Sequence, residues 1–176
     1  TGFSAVTSTV YVMEFVQEQI TTLHNLTGFV PSLNLDDVAV IIPMTERDYA
    51  TLATEKMLSE LESVSPATVI IALRAGKKQI PAYYDWLTGF DLPLEVVWCN
   101  APSVNDLLDN HGLSGNPGKG RDLWIAIGLA ADSHRYIVCH DADTESYSRS
   151  YVERLLFPLT RGYTFSKGYY ARVEDN

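Results

Sequence analysis

Asp141-Ala142-Asp143 closes the apolar run Tyr136-Ile137-Val138-Cys139-His140, and two carboxylates one residue apart after a buried strand can share a divalent cation. In a strand both side chains point to the same face; in the turn beyond it, the backbone can aim both at one ion. Hard carboxylate oxygens suit Mg²⁺ or Mn²⁺, and such an ion readily carries a diphosphate. Taken alone the triplet competes with a plainer reading, solvated turn residues, because Asp-x-Asp arises often by chance in an acidic chain.

Gly112-Leu-Ser-Gly-Asn-Pro-Gly-Lys-Gly-Arg121 is a Gly-rich polar loop leading directly into the apolar stretch Asp122-Leu-Trp-Ile-Ala-Ile-Gly-Leu-Ala-Ala131. Backbone N–H groups at a helix start hold phosphate oxygens, and Lys119 and Arg121 add positive charge. The loop is not a Walker A motif: position 113, where the first Gly should stand, is Leu, and Gly120 replaces the Ser or Thr after the Lys. Gly118-x-Gly120 lacks a third Gly at position 123, so the dinucleotide fingerprint fails as well. An ordinary flexible loop is the alternative.

Two further polar segments follow apolar runs. In Pro43-Met44-Thr45-Glu46-Arg47, Pro43 is expected to end a strand and Thr45 to cap the next helix, with Glu46 free to accept hydrogen bonds from a base or sugar. Arg74-Ala75-Gly76-Lys77-Lys78 clusters three cations that could face a ligand phosphate or serve only as solvated loop charges.

The elements that position these segments read as an alternation. Strands are expected near Val38-Ile42, Thr68-Leu73, Leu94-Cys99, Tyr136-His140 and Tyr163-Ser166, and helices near Arg47-Val64, Ile80-Thr88, Ser103-Asn110, Lys119-Ala131 and Ser148-Leu159. β-branched runs alternating with amphipathic segments predict an α/β, Rossmann-like fold: a mostly parallel sheet with helices on both faces. In such a sheet ligands bind beyond the carboxyl ends of the strands, so the polar residues that follow each strand are the ones to weigh, and a single site requires the Gly-rich loop to converge with them.

With 176 residues, 46% of them hydrophobic, the chain has the size of one domain with a proper core. Its net charge of −9 argues against a general nucleic-acid binder, so any phosphate must be held locally. The acidic surplus would also suit work in high salt. No apolar stretch approaches the roughly 20 residues of a membrane helix and no secretory signal is visible, so a cytoplasmic location is the expectation. Cys99 and Cys139 lack metal-site spacing and are expected as small core residues.

Three regions are expected. Residues 1–12 begin without Met and read as an expression-derived or upstream extension. Residues 13–36 form an amphipathic helix over Met13-Leu26, packing on the domain or on a second copy in a homodimer, followed by a linker; residues 37–176 form the binding domain.

In order, a strand then Pro43-x-Thr45-Glu46, Gly118-Lys119-Gly120 opening a helix, and a strand ending in Asp141-x-Asp143 resemble the nucleotide-sugar-binding half of GT-A-fold glycosyltransferases, over roughly residues 37 to 145. Leu155-Leu156-x-Pro158-Leu159 and Phe165-Ser166-Lys167-Gly168-Tyr169-Tyr170-Ala171-Arg172 are similar to the corresponding stretch of glucosyl-3-phosphoglycerate synthases and the related mannosyl enzymes.

The resemblance implies a metal-dependent transfer of a hexose from a UDP- or GDP-sugar to a small phosphorylated acceptor such as 3-phosphoglycerate, with retention. It places Pro43, Thr45 and Glu46 at the base and ribose, and Lys119 near the base and diphosphate. Arg74, Gly118, Gly120 and Arg121 are further donor-side candidates. Asp141 and Asp143 would hold ribose and a Mg²⁺ or Mn²⁺ ion and serve as the catalytic pair, while Lys167, Gly168, Tyr169 and Arg172 line the acceptor side. The structural alternative for Tyr169 and Tyr170 is packing on the sheet.

Two departures stand out. The family's first motif usually reads Asn-Glu where this chain has Thr45-Glu46, and small polar residues usually follow its second strand where this chain has Ala72-Leu73-Arg74, so base or ribose recognition should differ. Family members also continue beyond Asn176 with a further metal-binding His and much of the acceptor site, so the chain is expected to bind a donor better than it turns one over. Two alternatives stay open: a sugar-phosphate nucleotidyltransferase, disfavoured because its Gly-rich loop usually follows the first strand directly, and a non-catalytic nucleotide-sugar-binding module.

Overall fold

The computed structural model describes residues 31–168. The segment 1–12, the expected helix Met13-Leu26, and Tyr169, Tyr170 and Arg172 lie outside the described residues. The chain enters as coil, with Leu35 buried and its carbonyl accepting from the N–H groups of Val38 and Ala67, which ties the entry to the start of the sheet.

Four parallel strands, β1 (Val38–Thr45), β2 (Thr68–Arg74), β3 (Leu94–Trp98) and β4 (Tyr136–Cys139), form one sheet in the order β3-β2-β1-β4. Among the described residues five α-helices connect and follow them: α1 (Leu52–Glu62), α2 (Ile80–Leu87), α3 (Pro102–Asn110), α4 (Lys119–Ala131) and α5 (Ser150–Thr160). The Rossmann-like α/β architecture expected from the alternation is the one found. Among the described residues no helix is long and apolar enough to cross a membrane.

Alternating strand residues feed two cores. Val38, Val40, Ile42 and Met44 of β1, with Val69, Ile71 and Leu73 of β2, pack against Met57, Leu58 and Leu61 of α1, Tyr83 and Leu87 of α2, and Val152 and Leu156 of α5. On the opposite face Ala39, Ile41, Ile70 and Ala72 meet Ala126 and Ala130 of α4. The small side chains on both partners let α4 lie close to the sheet, and that closeness brings its first turn to the strand ends.

Four expectations are corrected. Pro43 does not end β1, which continues in register with β2 as far as Thr45 opposite Arg74. The Ile41 carbonyl accepts from His140 on the β4 side, so Pro43, two residues on, turns its missing N–H toward that same side, where β4 has already stopped. The single helix over Arg47-Val64 is instead a short 3-10 turn, Glu46–Asp48, followed by α1. Tyr163-Ser166 is coil, because β-propensity is realised only against a partner edge and none is supplied there. Cys99 is buried as expected, but Cys139 lies exposed on the edge strand β4.

Candidate functional site

The strand order places a topological switch point between β1, from which the chain winds out through β2 to β3, and β4, to which it returns. A crevice opens there beyond the carboxyl ends of the strands. It is lined by Pro43, Met44 and Thr45 from β1, Asp48, Arg74 from β2, Lys119 and Asp122 from α4, and Asp141, Ala142 and Asp143 after β4. The acidic turn and the start of α4 therefore meet in one place.

The acidic turn is built by alternation. Ala142 is 5% exposed and belongs to the core, which leaves its two neighbours outward: Asp143 is exposed and Asp141 half-buried. Thr144 Oγ1 donates to the Asp141 carbonyl at 2.8 Å and closes the turn. His140, just before it, is buried against Tyr147 with ring centroids 5.1 Å apart, and its Nε2 meets no partner. Burial pushes the His140 imidazole down to about 4, against an opposing pull from Asp141, so it stands beside the carboxylates as a neutral ring.

Lys119, the first residue of α4, donates to Asp141 Oδ1. Gly118, before it, is extended, and a Cβ at Gly118 or Gly120 would meet nothing within 4 Å, so open space surrounds the helix start. Arg121 turns away. Its guanidinium donates to the carbonyls of Cys99 (3.0 Å) and Gly115 (3.2 Å) and to Asn105 Oδ1 (2.7 Å), and so holds the Gly-rich loop against α3.

The β1 end is fastened by its own polar groups. The Thr45 N–H and hydroxyl both donate to Asp48 Oδ2, at 2.6 and 3.0 Å, and Tyr83 donates to the Thr45 carbonyl. Glu46 lies outside the crevice lining and accepts from the Gly76 N–H at 2.8 Å, tying the loops after β1 and β2 together. A Cβ at Gly76 would come within 2.8 Å of Gln79 Oε1 and 3.2 Å of Glu46 Oε1, which is why a glycine suits that contact. Lys77 and Lys78 are exposed and take no part in the lining. Lys167 is exposed, and a Cβ added at Gly168 would come 3.6 Å from Leu155 Cδ2; neither lines the crevice.

Two lining carboxylates were not foreseen. Asp48 stands three residues after Thr45, the spacing of a capping box, which was the available signal. Asp122 is 1% exposed and gives Oδ2 to Arg74 Nε at 2.9 Å. A lone acid opening an otherwise apolar helix was its sign in the sequence.

The lining holds four carboxylates (Asp48, Asp122, Asp141, Asp143) against two cations (Arg74, Lys119), a formal excess of two negative charges. A diphosphate would enter that field unfavourably without a divalent cation. Among the described residues no group of three or more His, Cys, Asp or Glu side chains is placed to hold a metal. Asp141 and Asp143 nonetheless fit Mg²⁺ or Mn²⁺, which is commonly held by one or two carboxylates and completed by substrate phosphates.

No family model matches the chain. A glucosyl-3-phosphoglycerate synthase from Methanococcoides burtonii is 32% identical over 179 aligned positions, which take in 92% of this chain. One from Persephonella marina is 29% identical over 148 positions and 78% of the chain. The chain spans 44% and 37% of the length of these two curated relatives. Among solved structures, the 4-diphosphocytidyl-2C-methyl-D-erythritol synthase of Anaerococcus prevotii superposes with a TM-score of 0.53 over 70% of this chain and 51% of its own, at 13% identity. At that identity the likeness speaks for the α/β fold alone. In sequence, then, this chain is similar to the glucosyl-3-phosphoglycerate synthases, as its motifs and tail implied.

Proposed function

We propose that the chain forms the donor-binding half of a metal-dependent hexosyltransferase, which moves a hexose from a UDP- or GDP-sugar to a small anionic acceptor such as 3-phosphoglycerate with retention of configuration. The names of the two relatives support the reaction class and the acceptor. The observation that carries the reading is the meeting of Asp141, Asp143 and Lys119 at the switch point beside β1.

When bound between Asp143, Asp141 and the donor diphosphate, a divalent cation would act as a Lewis acid that offsets charge on the departing nucleotide. The side chains around it have separate tasks. Lys119 and the N–H groups at the start of α4 stabilise the leaving diphosphate, and the Lys119–Asp141 contact gives way as they do so. Thr45 and Pro43 at the end of β1 bound the nucleoside side. Lys167 and Gly168, with Tyr169 and Arg172 beyond the described residues, are assigned to the acceptor through the family resemblance.

The test is a thermal-shift screen of UDP- and GDP-hexoses with and without Mn²⁺. At least one donor should stabilise the chain only when Mn²⁺ is present, and Asp143→Ala should abolish that response. The same response in Asp143→Ala, or none with any donor, would sink the proposal. Assaying the protein for nucleoside diphosphate release checks the chemistry; pyrophosphate in its place would mark a nucleotidyltransferase.

A further inference from the structure

Asp122 is 1% exposed, lies in the first turn of α4 and has a single hydrogen-bonded partner for its carboxylate, Arg74. Its Oδ1 is buried and meets no partner at all. A buried ion pair of this kind is poor value as a stabiliser, since desolvating both charges costs about as much as their attraction returns. Its evident effect is geometric. Asp122 takes the Nε edge of the guanidinium at 2.9 Å, which fixes the plane of Arg74 and leaves both Nη groups to a ligand in the crevice that Arg74 lines, with its side chain 32% exposed.

The sheet says which part of a ligand that would be. Arg74 closes β2 and the Asp141–Asp143 turn follows β4, on opposite sides of β1, so the two strand ends stand two strand spacings apart, roughly 10 Å. A diphosphate held at the acidic turn and Lys119 directs the rest of its nucleotide across the end of β1 toward Thr45 and Arg74, which face each other in register. A planar fork of N–H donors meets the carbonyl and ring-nitrogen acceptors on the edge of a nucleobase. We infer that Arg74 reads the base of the bound nucleotide and that Asp122 is its positioning residue. This rests on the donor site proposed above and adds to its nucleoside side a base-reading residue with its positioning partner.

The experiment compares two ligands on one protein by calorimetry with Mn²⁺ present: the nucleoside diphosphate, UDP or GDP, that the wild-type chain binds more tightly, and inorganic pyrophosphate, which has no base. Arg74→Lys keeps the charge opposite Asp122 but loses the fork; Asp122→Asn keeps the shape and loses the anchor. Both should weaken the nucleoside diphosphate by tenfold or more, the scale of one charge-assisted hydrogen bond, and leave pyrophosphate within about twofold. The double variant Arg74→Gln with Asp122→Asn orphans no charge and should show the same selective loss, which covers the case of an Asp122→Asn chain that fails to fold. Unchanged nucleoside diphosphate affinity in these variants overturns the inference. An equal loss for both ligands also overturns it, by assigning Arg74 to the phosphates. A wild-type chain that binds neither UDP nor GDP would instead bring down the donor site itself.

Discussion

At the scale of single residues, Lys119 is the group whose role is most exposed to test, because it already neutralises a carboxylate assigned to the metal. Removing it makes the crevice one charge more negative and frees Asp141 Oδ1. Lys119→Ala should therefore bind Mn²⁺ more tightly than the wild type in a calorimetric titration without nucleotide, yet bind a nucleoside diphosphate about tenfold more weakly when Mn²⁺ is saturating. Weaker Mn²⁺ binding in the variant would mean that Lys119 supports the acidic turn rather than competing with the ion. Cys99 offers a pH test in the adjoining core. Burial pushes its thiol from 9.0 up to about 12, with Asp122 adding to the shift and Arg121 and Arg74 opposing it. The folded value is above the unfolded one, so between them the unfolded chain has lost a proton that the folded chain keeps, and stability falls as pH rises. This contribution is complete below about pH 9 and fades from there toward pH 12. Melting temperatures followed from about pH 8 to about pH 10.5 should fall less steeply in Cys99→Ala than in the wild type; equal slopes would rule out the thiol as the cause.

At the scale of elements, the junction of β1 and α1 shows what periodicity could and could not reveal. The apolar spacing over Arg47-Val64 predicts one helix, and α1 does occupy most of it. Its first turn is diverted because Asp48 is held by Thr45 and the Tyr49 ring stands 5.1 Å from that of Tyr83 and 5.5 Å from that of Trp86. The Thr45–Asp48 spacing is a local sign of that diversion, but the ring contacts reach across to α2 and no local pattern encodes them. The chain is reset at Ala50, whose φ of 48° is the left-handed conformation that disfavours a Cβ, and α1 restarts at Thr51, whose hydroxyl accepts the Thr54 N–H at 3.2 Å. Ala50→Gly should accordingly stabilise the chain by up to about 1 kcal/mol, and Thr51→Ala should cost about 1 kcal/mol, both read by chemical denaturation. Opposite signs would mean that the helix start is set by packing rather than by its cap. The strands were more legible, since Val38–Ile42 and Val69–Leu73 are buried on both faces and read as unbroken apolar runs. Tyr163-Ser166 has the composition of a strand without a neighbouring edge, and composition cannot show the missing partner.

At the scale of the whole molecule, strand composition implies a parallel sheet but not the order β3-β2-β1-β4, and it is the order that makes the site. Asp141 and Lys119 are 22 residues apart and Arg74 and Asp122 are 48 apart. They meet only because α4 packs its alanines on β1 and β2 and delivers its first turn to the switch point. The acidic surplus acts at this scale too. A net charge of −9 is self-repulsion spread over the surface, whereas the two ion pairs that face the crevice answer to salt unequally: Arg74–Asp122 is screened little because Asp122 is buried, and Lys119–Asp141 is half-exposed and contributes little to begin with. Added salt therefore weakens repulsion more than attraction, and the melting temperature should rise as NaCl goes from about 20 mM to about 500 mM. Metal binding should move the other way. The crevice attracts Mn²⁺ through its excess of carboxylates, and screening lowers that attraction, so Mn²⁺ affinity should fall over the same range. Stability and metal affinity with opposite salt dependences, measured on one sample, are the signature of an acidic body with a locally organised anion site; a melting temperature that fell with salt would show that attractive pairs, not net charge, govern the fold.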